Sequence, residues 1–271
     1  MDTPHRYFNG WRWQQWKADY SEADIKPCLE YFSKLFSAIT DKEQGAYCTV
    51  FRLHMDPCWT NDPTKKAANE ADISAFNMAR YRLYLQKLYI PLIKDAIAHG
   101  LYVIVRPPGV CPQDISVGDK YNRYLKSIWK TFAADEYIQQ NSGLISIELA
   151  NEPVRVHLSD GSNSDKALHD YFQPVVDEIR AQGFKGIIWV PGAGYQSQYQ
   201  SYAKYPITDS KDNFSYAVHV YSGWYGNMTD KNCNHDTFIR NFKSQVPMVE
   251  TKPIMVTEID WSPEDPEQED K

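Results

Sequence analysis

Two glutamates carry the residue chemistry that stands out in this 271-residue chain. Glu152 lies in LISIELANEP (Leu144 to Pro153) and Glu258 closes IMVTE (Ile254 to Glu258), each at the far end of an apolar run. A pair of carboxyls held across a cleft can divide general acid/base and nucleophilic work between them, which is what glycoside hydrolysis requires. The order of residues around Glu152 predicts its placement. Leu144 to Leu149 reads as a buried strand opened by Gly143. Pro153 lacks a backbone donor and restricts the residue before it, so Glu152 is expected in an extended or turn conformation at the strand's C-terminal lip.

The elements that must present these carboxyls alternate along the chain. Ile25, Leu29, Phe32, Leu35, Phe36 and Ile39 recur at helical spacing and predict a helix over 23–39. A strand follows over 46–53, with Arg52 near its end. A helix through Tyr81, Tyr84, Leu85, Leu88 and Leu92 is stopped by Gly100 and kinked at Pro91. The apolar run Leu101 to Val105 is a strand that exits at Arg106 and Pro107. The same reading gives helices over 121–138 and 165–182 and strands over 186–190, 216–221 and 253–258. The aromatic cluster Tyr7 to Trp16 is read as a first strand.

Apolar strands separated by helices imply parallel crossovers. An open doubly wound sheet normally carries a glycine-rich phosphate turn after an early strand, and none is present; Gly192-Ala-Gly194 is read as a loop. The closed (β/α)8 TIM barrel is the expected architecture, as one domain over 1–271. Arg52, Arg106, Glu152, Tyr221 and Glu258 all fall at strand C-terminal ends, the face where such barrels hold their sites.

Composition narrows the function classes. A net charge of −6 without a dense Lys/Arg cluster disfavours nucleic acid, and no apolar window is long enough for a membrane span. Five cysteines without a CxxC pair imply neither a zinc framework nor a complete disulfide set. The alternation His54, Asp56, Cys58 has no metal-ligand spacing, so no metal and no cofactor are expected. Without a G-x-S-x-G elbow a serine hydrolase is disfavoured. Eight Trp and nineteen Tyr exceed what a core of this size needs; they either pack helices or stack on sugar faces. Nothing at the N-terminus resembles a signal peptide, which leaves the compartment open.

LANEP, the His-x-Tyr of HVY (His219 to Tyr221) and TEID together make the chain resemble glycoside hydrolase family 5 of clan A, from the Arg52 strand to Glu258. The resemblance implies a retaining endo-β-1,4-glucanase on a β-linked polysaccharide or oligosaccharide, with Glu152 as acid/base and Glu258 as nucleophile. It implies Arg52 beside Glu258; a salt bridge from Arg52 to the buried Glu148 is the rival reading. Asn151 resembles the family Asn that meets the sugar 2-hydroxyl. His219 and Tyr221 share a strand face, where Tyr221 would donate to Glu258 and His219 would face the site or sit as a core histidine. Trp224 and Trp261 are candidate sugar platforms or rim packing. Arg106, with Pro107 and Pro108, stands where many family members place a His, and the family's late-strand Trp has no counterpart.

That substrate class places the expected activity outside the cell, in the periplasm or at the cell surface, and a monomer is expected. A β-mannanase or other β-1,4-glycanase is the nearest alternative, and a non-catalytic glycan-binding barrel is the alternative of a different class. Seven strands can be counted, so the barrel is expected to lack its eighth β/α unit. The acidic, proline-broken run 264–271 cannot be a strand, and the native chain is expected to continue beyond Lys271.

Overall fold

The computed structural model describes residues 20–221, 225 and 235–260. Among the described residues six strands form the main sheet: β1 (Val50–His54), β2 (Tyr102–Arg106), β4 (Ile145–Glu148), β6 (Ile188–Pro191), β7 (Phe214–Tyr221) and β8 (Ile254–Asp260). They lie in the order β1-β2-β4-β6-β7-β8, every neighbouring pair parallel. The sheet curls far enough that Arg52 on β1 reaches across its inner face to bond Glu258 on β8 at 3.0 Å. The expected first strand at Tyr7 to Trp16 and the run 264–271 lie outside the described residues.

Period-two alternation sorts each strand into an outer and an inner face. Val103 and Val105, Ile145 and Ile147, and Ile188 and Val190 join the large core beneath the helices. Ile104, Trp189 and Ala217, with Met255 against them, make a separate apolar layer inside the barrel. Trp189 lies in it because its indole Nε1 donates to Ser146 Oγ at 2.9 Å. Above that layer the inner positions turn polar, and this second layer is the site.

The surrounding helices are held by packing more than by propensity. In the helix Lys120–Ala133, Tyr121, Tyr124, Leu125, Ile128, Trp129 and Phe132 are buried at spacings of three and four. Each such residue contributes roughly 1.5–3 kcal/mol, against propensity differences of at most about 0.7 kcal/mol per residue. This helix ends earlier than expected, because Asp135 caps a separate helix, Glu136–Gln140, by accepting from the Ile138 amide at 3.2 Å. The expected kink at Pro91 takes the form of a π-helical turn, Leu85–Tyr89, joining Met78–Tyr84 to Ile90–Ala98, and Pro91 occupies the first turn of the latter. The missing proline donor is absorbed there.

Other boundaries shift by a few residues. The first described strand begins at Val50, not at 46, and extends past Arg52 to His54. Two three-residue strands, β3 (Asp114–Ser116) and β5 (Arg155–His157), pair in parallel as a small second sheet. Neither has enough residues to show a period in sequence. The described tryptophans Trp59, Trp129 and Trp189 are buried, and most of the described tyrosines lie in the core, so packing accounts for these rings. No described helix is long and apolar enough to cross a membrane.

Candidate active site

The polar layer is built around Glu148, the last residue of β4, whose side chain is wholly buried. A carboxylate there is tolerable only if its oxygens are filled. Arg52 donates to it twice, Nε to Oε2 at 2.6 Å and Nη2 to Oε1 at 3.0 Å, and Gln196 Nε2 and Thr257 Oγ1 each add a bond to Oε1 at 3.0 Å. Burial pushes the Glu148 carboxyl up, but the Arg52 charge and the hydrogen bonds from His219 and Arg52 outweigh burial and hold it well below the usual carboxylate range.

Arg52 does not choose between the two partners weighed for it. Its Nη1 also donates to Glu258 Oε2 at 3.0 Å, and its Nη2 to Asn151 Oδ1 at 2.7 Å. One guanidinium fork therefore orients three side chains from β4, the loop after it and β8. Burial works against the Arg52 cation, and the facing carboxylates more than offset it.

Glu258 reaches this layer through an irregularity in β8. Val218 pairs with Val256, but His219 pairs with Glu258, so Thr257 is an extra residue on the β8 side. At such a bulge the alternation slips, and Thr257 and Glu258, adjacent in sequence, both point inward. Tyr221 donates its hydroxyl to Glu258 Oε1. Burial raises the Glu258 carboxyl, while the His219 charge, the Tyr221 hydrogen bond and Arg52 lower it further than burial lifts it.

Glu152 stands at the opposite side. It adopts φ 58, a left-handed turn where an extended or turn conformation is expected before proline. Such a conformation costs on the order of 1–3 kcal/mol and persists where neighbours impose it. Here the Cys111 amide donates to the Asn151 carbonyl at 2.8 Å, the Glu152 amide to Gln196 Oε1 at 2.7 Å, and the Tyr195 amide to the Pro153 carbonyl at 2.9 Å. The lip is thus tied to the loops after β2 and β6.

His219 is fully buried between the two glutamates, its Nδ1 3.1 Å from Glu152 Oε1 and 3.7 Å from Glu258 Oε2. Its Nε2 lies 3.7 Å from Glu148 Oε1. Burial disfavours the imidazolium, but the ring of carboxylates raises its pKa above the ordinary histidine value. It is buried as a core histidine would be and also meets both rim glutamates, so the two readings of it are compatible in one side chain. Single atoms of Glu152, His219 and Glu258 lie within 4.8 Å of one another, a spacing that could hold a metal ion. Arg52 and His219 already meet these carboxylates.

Arg106 is buried, with Nη1 donating to the Gly109 carbonyl at 3.3 Å, and no carboxylate lies within salt-bridge distance of it among the described residues. Burial and the neighbouring Arg52 push it down to about 10. His54, beneath it, accepts from the Gly109 amide at 3.2 Å, and Asp56 accepts from the Cys58 amide at 2.7 Å. The alternation His54, Asp56, Cys58 is spent on separate contacts. Trp224 and Trp261 lie outside the described residues.

Gln196, Tyr195 and Thr257 complete the surroundings without a signal in the sequence. Gly194, Tyr195 and Gln196 all have positive φ, so the segment read as a loop is a left-handed turn that drives Gln196 into the barrel and leaves Tyr195 on the rim.

A family model described as Cellulase (glycosyl hydrolase family 5) matches residues 37–271. No curated protein matches the chain. Among solved structures, a β-glucanase of Saccharophagus degradans in complex with cellotetraose aligns at TM-score 0.63 and 16% identity, over 90% of this chain and 67% of that one. The catalytic domain of the Thermobifida fusca endoglucanase Cel5A aligns at TM-score 0.53 and 23% identity, over 84% and 62%. A mutated endo-β-1,4-glucanase of Xanthomonas axonopodis pv. citri aligns at 0.51 and 18%, over 84% and 69%. The chain spans about two thirds of the length of these proteins.

Proposed function

The chain belongs to glycosyl hydrolase family 5, a family of (β/α)8 barrels, and on that premise we propose that it is a retaining endo-β-1,4-glucanase. The observation that carries the mechanism is the spacing at the rim: oxygens of Glu152 and Glu258 lie within 4.8 Å. Retaining enzymes hold their carboxyls roughly 5–5.5 Å apart, and inverting ones leave roughly 6.5–9.5 Å for a water. Substrate choice rests on what the similar structures are named for.

Glu258, kept ionised by Arg52 and Tyr221, attacks the anomeric carbon while Glu152 protonates the departing glycosidic oxygen. Glu152, now a carboxylate, then takes a proton from water as that water displaces Glu258. His219 donates toward Glu152 in this state and limits the cost of its charge. Arg52 holds the Asn151 amide oxygen, which leaves the amide nitrogen to meet the sugar 2-hydroxyl. The enzyme acts on polysaccharide outside the cell, in the periplasm or at the cell surface, as a monomer.

Digestion of a panel of β-1,4-glucan, mixed-linkage glucan and β-mannan with product sizing tests the reading. Early loss of chain length on β-1,4-glucan is expected. Cleavage confined to mannan would move the substrate within the family, and cleavage of none with binding retained would leave a glycan-binding barrel.

A pH profile tests the nucleophile. The carboxyl of Glu258 is depressed in the folded protein, so its active, ionised form persists below the ordinary carboxylate range and is lost as pH falls through the depressed value. Tyr221→Phe removes one depressing contact and no buried charge. The acid limb of kcat/KM is expected to move to higher pH; an unmoved limb would deny Tyr221 this part.

A further inference from the structure

A third glutamate, Glu70, borders the cavity that Glu152 lines, and the steps above leave it unused. Glu70 lies in the loop between β1 and the helix Met78–Tyr84, in a segment braced by the Ala68 amide on Asp72 Oδ2 at 2.7 Å and the Ala71 amide on Asn69 Oδ1 at 2.9 Å. Its main chain rests on the turn after β2. Gly109 there has φ +77, and a Cβ on it would meet the Glu70 carbonyl oxygen at 2.5 Å. Position 109 thus requires glycine twice over, once for its backbone angle and once for this approach.

The Glu70 side chain is placed but not satisfied. Its Oε1 is buried without a hydrogen-bond partner, and no ion pair joins it to Arg106 among the described residues. A buried carboxyl oxygen with no partner calls for a reason. Burial lifts this carboxyl to about 7; the facing Arg106 lowers it, and Asp56, Glu152 and Glu258 raise it. Near neutrality it can donate as well as accept.

Glu70 lines a cavity of about 570 Å³ together with Asn69, Gln113, Glu152, Val154 and Tyr195. That volume suits a small ligand. Polar groups stand on the wall near Glu70, and the Tyr195 side chain, 41% exposed, offers a ring. Glu152 borders the cavity and Glu258 does not. The acid/base touches the oxygen of the leaving sugar, and the nucleophile touches the sugar that stays, so the cavity lies on the leaving-group side.

We propose that Glu70 binds a hydroxyl of the sugar on the leaving-group side of the cleft, which makes it a specificity-determining residue for leaving groups and acceptors. The proposal rests on the glycosidase reading above, and its test separates the two. With β-cellobiosyl fluoride as donor, Glu258 displaces fluoride, and the glycosyl-enzyme is partitioned between water and added cellobiose. In transfer, an acceptor hydroxyl oxygen bonds to the anomeric carbon, its proton passes to Glu152, and the bond to Glu258 breaks with its electron pair returning to that carboxylate. Water follows the same steps, so the ratio of transfer to hydrolysis cancels what Glu152 contributes and reports acceptor binding.

Glu70→Ala is expected to lower this ratio about tenfold, and Glu70→Gln, which keeps a donor and an acceptor, to lower it by much less. If the alanine variant does not fold, Glu70→Asp, with the carboxyl withdrawn by one methylene, should lower the ratio in the same sense. The proposal is overturned if the ratio stays at its unsubstituted value, if fluoride hydrolysis alone falls as far as transfer does, or if the unsubstituted protein hydrolyses the fluoride without any transfer. No fluoride hydrolysis by the unsubstituted protein would instead sink the glycosidase reading.

Discussion

Glu258→Ala is expected to lower hydrolysis of β-1,4-glucan on the order of 10⁵-fold, and Glu152→Ala by about 10²–10⁴-fold, with both variants folded. The two side chains are partly exposed, at 30% and 23%, so neither truncation opens a cavity in the core. Azide tells them apart. On an activated aryl glycoside, azide entering in place of the Glu258 carboxylate gives the α-glycosyl azide. Azide entering in place of water on the Glu152 side gives the β-azide. Near-normal activity in either variant, or a single anomer from both, would show the pair to be misassigned.

The second large effect is on stability. Arg52→Met is expected to cost about 3–5 kcal/mol, because it leaves the wholly buried Glu148 carboxylate without its bidentate guanidinium and the Asn151 oxygen without its donor. Urea denaturation should record a lower midpoint with an unchanged slope. The sign of the pH dependence follows from Glu148, whose folded pKa lies below its unfolded one. Its contribution is present above the unfolded value of about 4.3 and is lost as pH falls towards the folded one. Arg52→Met should therefore be most damaging near neutrality and least damaging in acid. Adding Glu148→Gln should recover part of the loss, since no uncompensated charge remains. A single variant as stable as the parent would show that Gln196, Thr257 and His219 hold Glu148 without Arg52. In the same variant the acid limb of activity should rise, because Arg52 also faces Glu258.

The alternation of apolar strands with helices, and the rim position of Glu152, Glu258 and Arg52, were legible from the sequence because they are local. A run such as Leu144 to Leu149 is apolar over its own length whatever lies beside it, and Pro153 ends it by its own chemistry. The motifs around these residues were legible for the same reason, since each is a short contiguous string. Tertiary structure decided the rest. Thr257 and Glu258 face the same way only because β8 slips by one residue against β7, and a strand's own sequence does not carry its neighbour's register. Gln196 enters the barrel through left-handed backbone imposed by bonds to the loop after β4. Arg52 serves Glu148, Asn151 and Glu258 together because the curled sheet brings β1, β4 and β8 around one interior; from sequence Glu148 and Glu258 looked like alternatives. Glu70 had no signal at all. A polar residue in a polar loop is the commonest of patterns, and only the close packing of its backbone on Gly109 sets it, half-buried, in the wall of a cavity that Glu152 also lines.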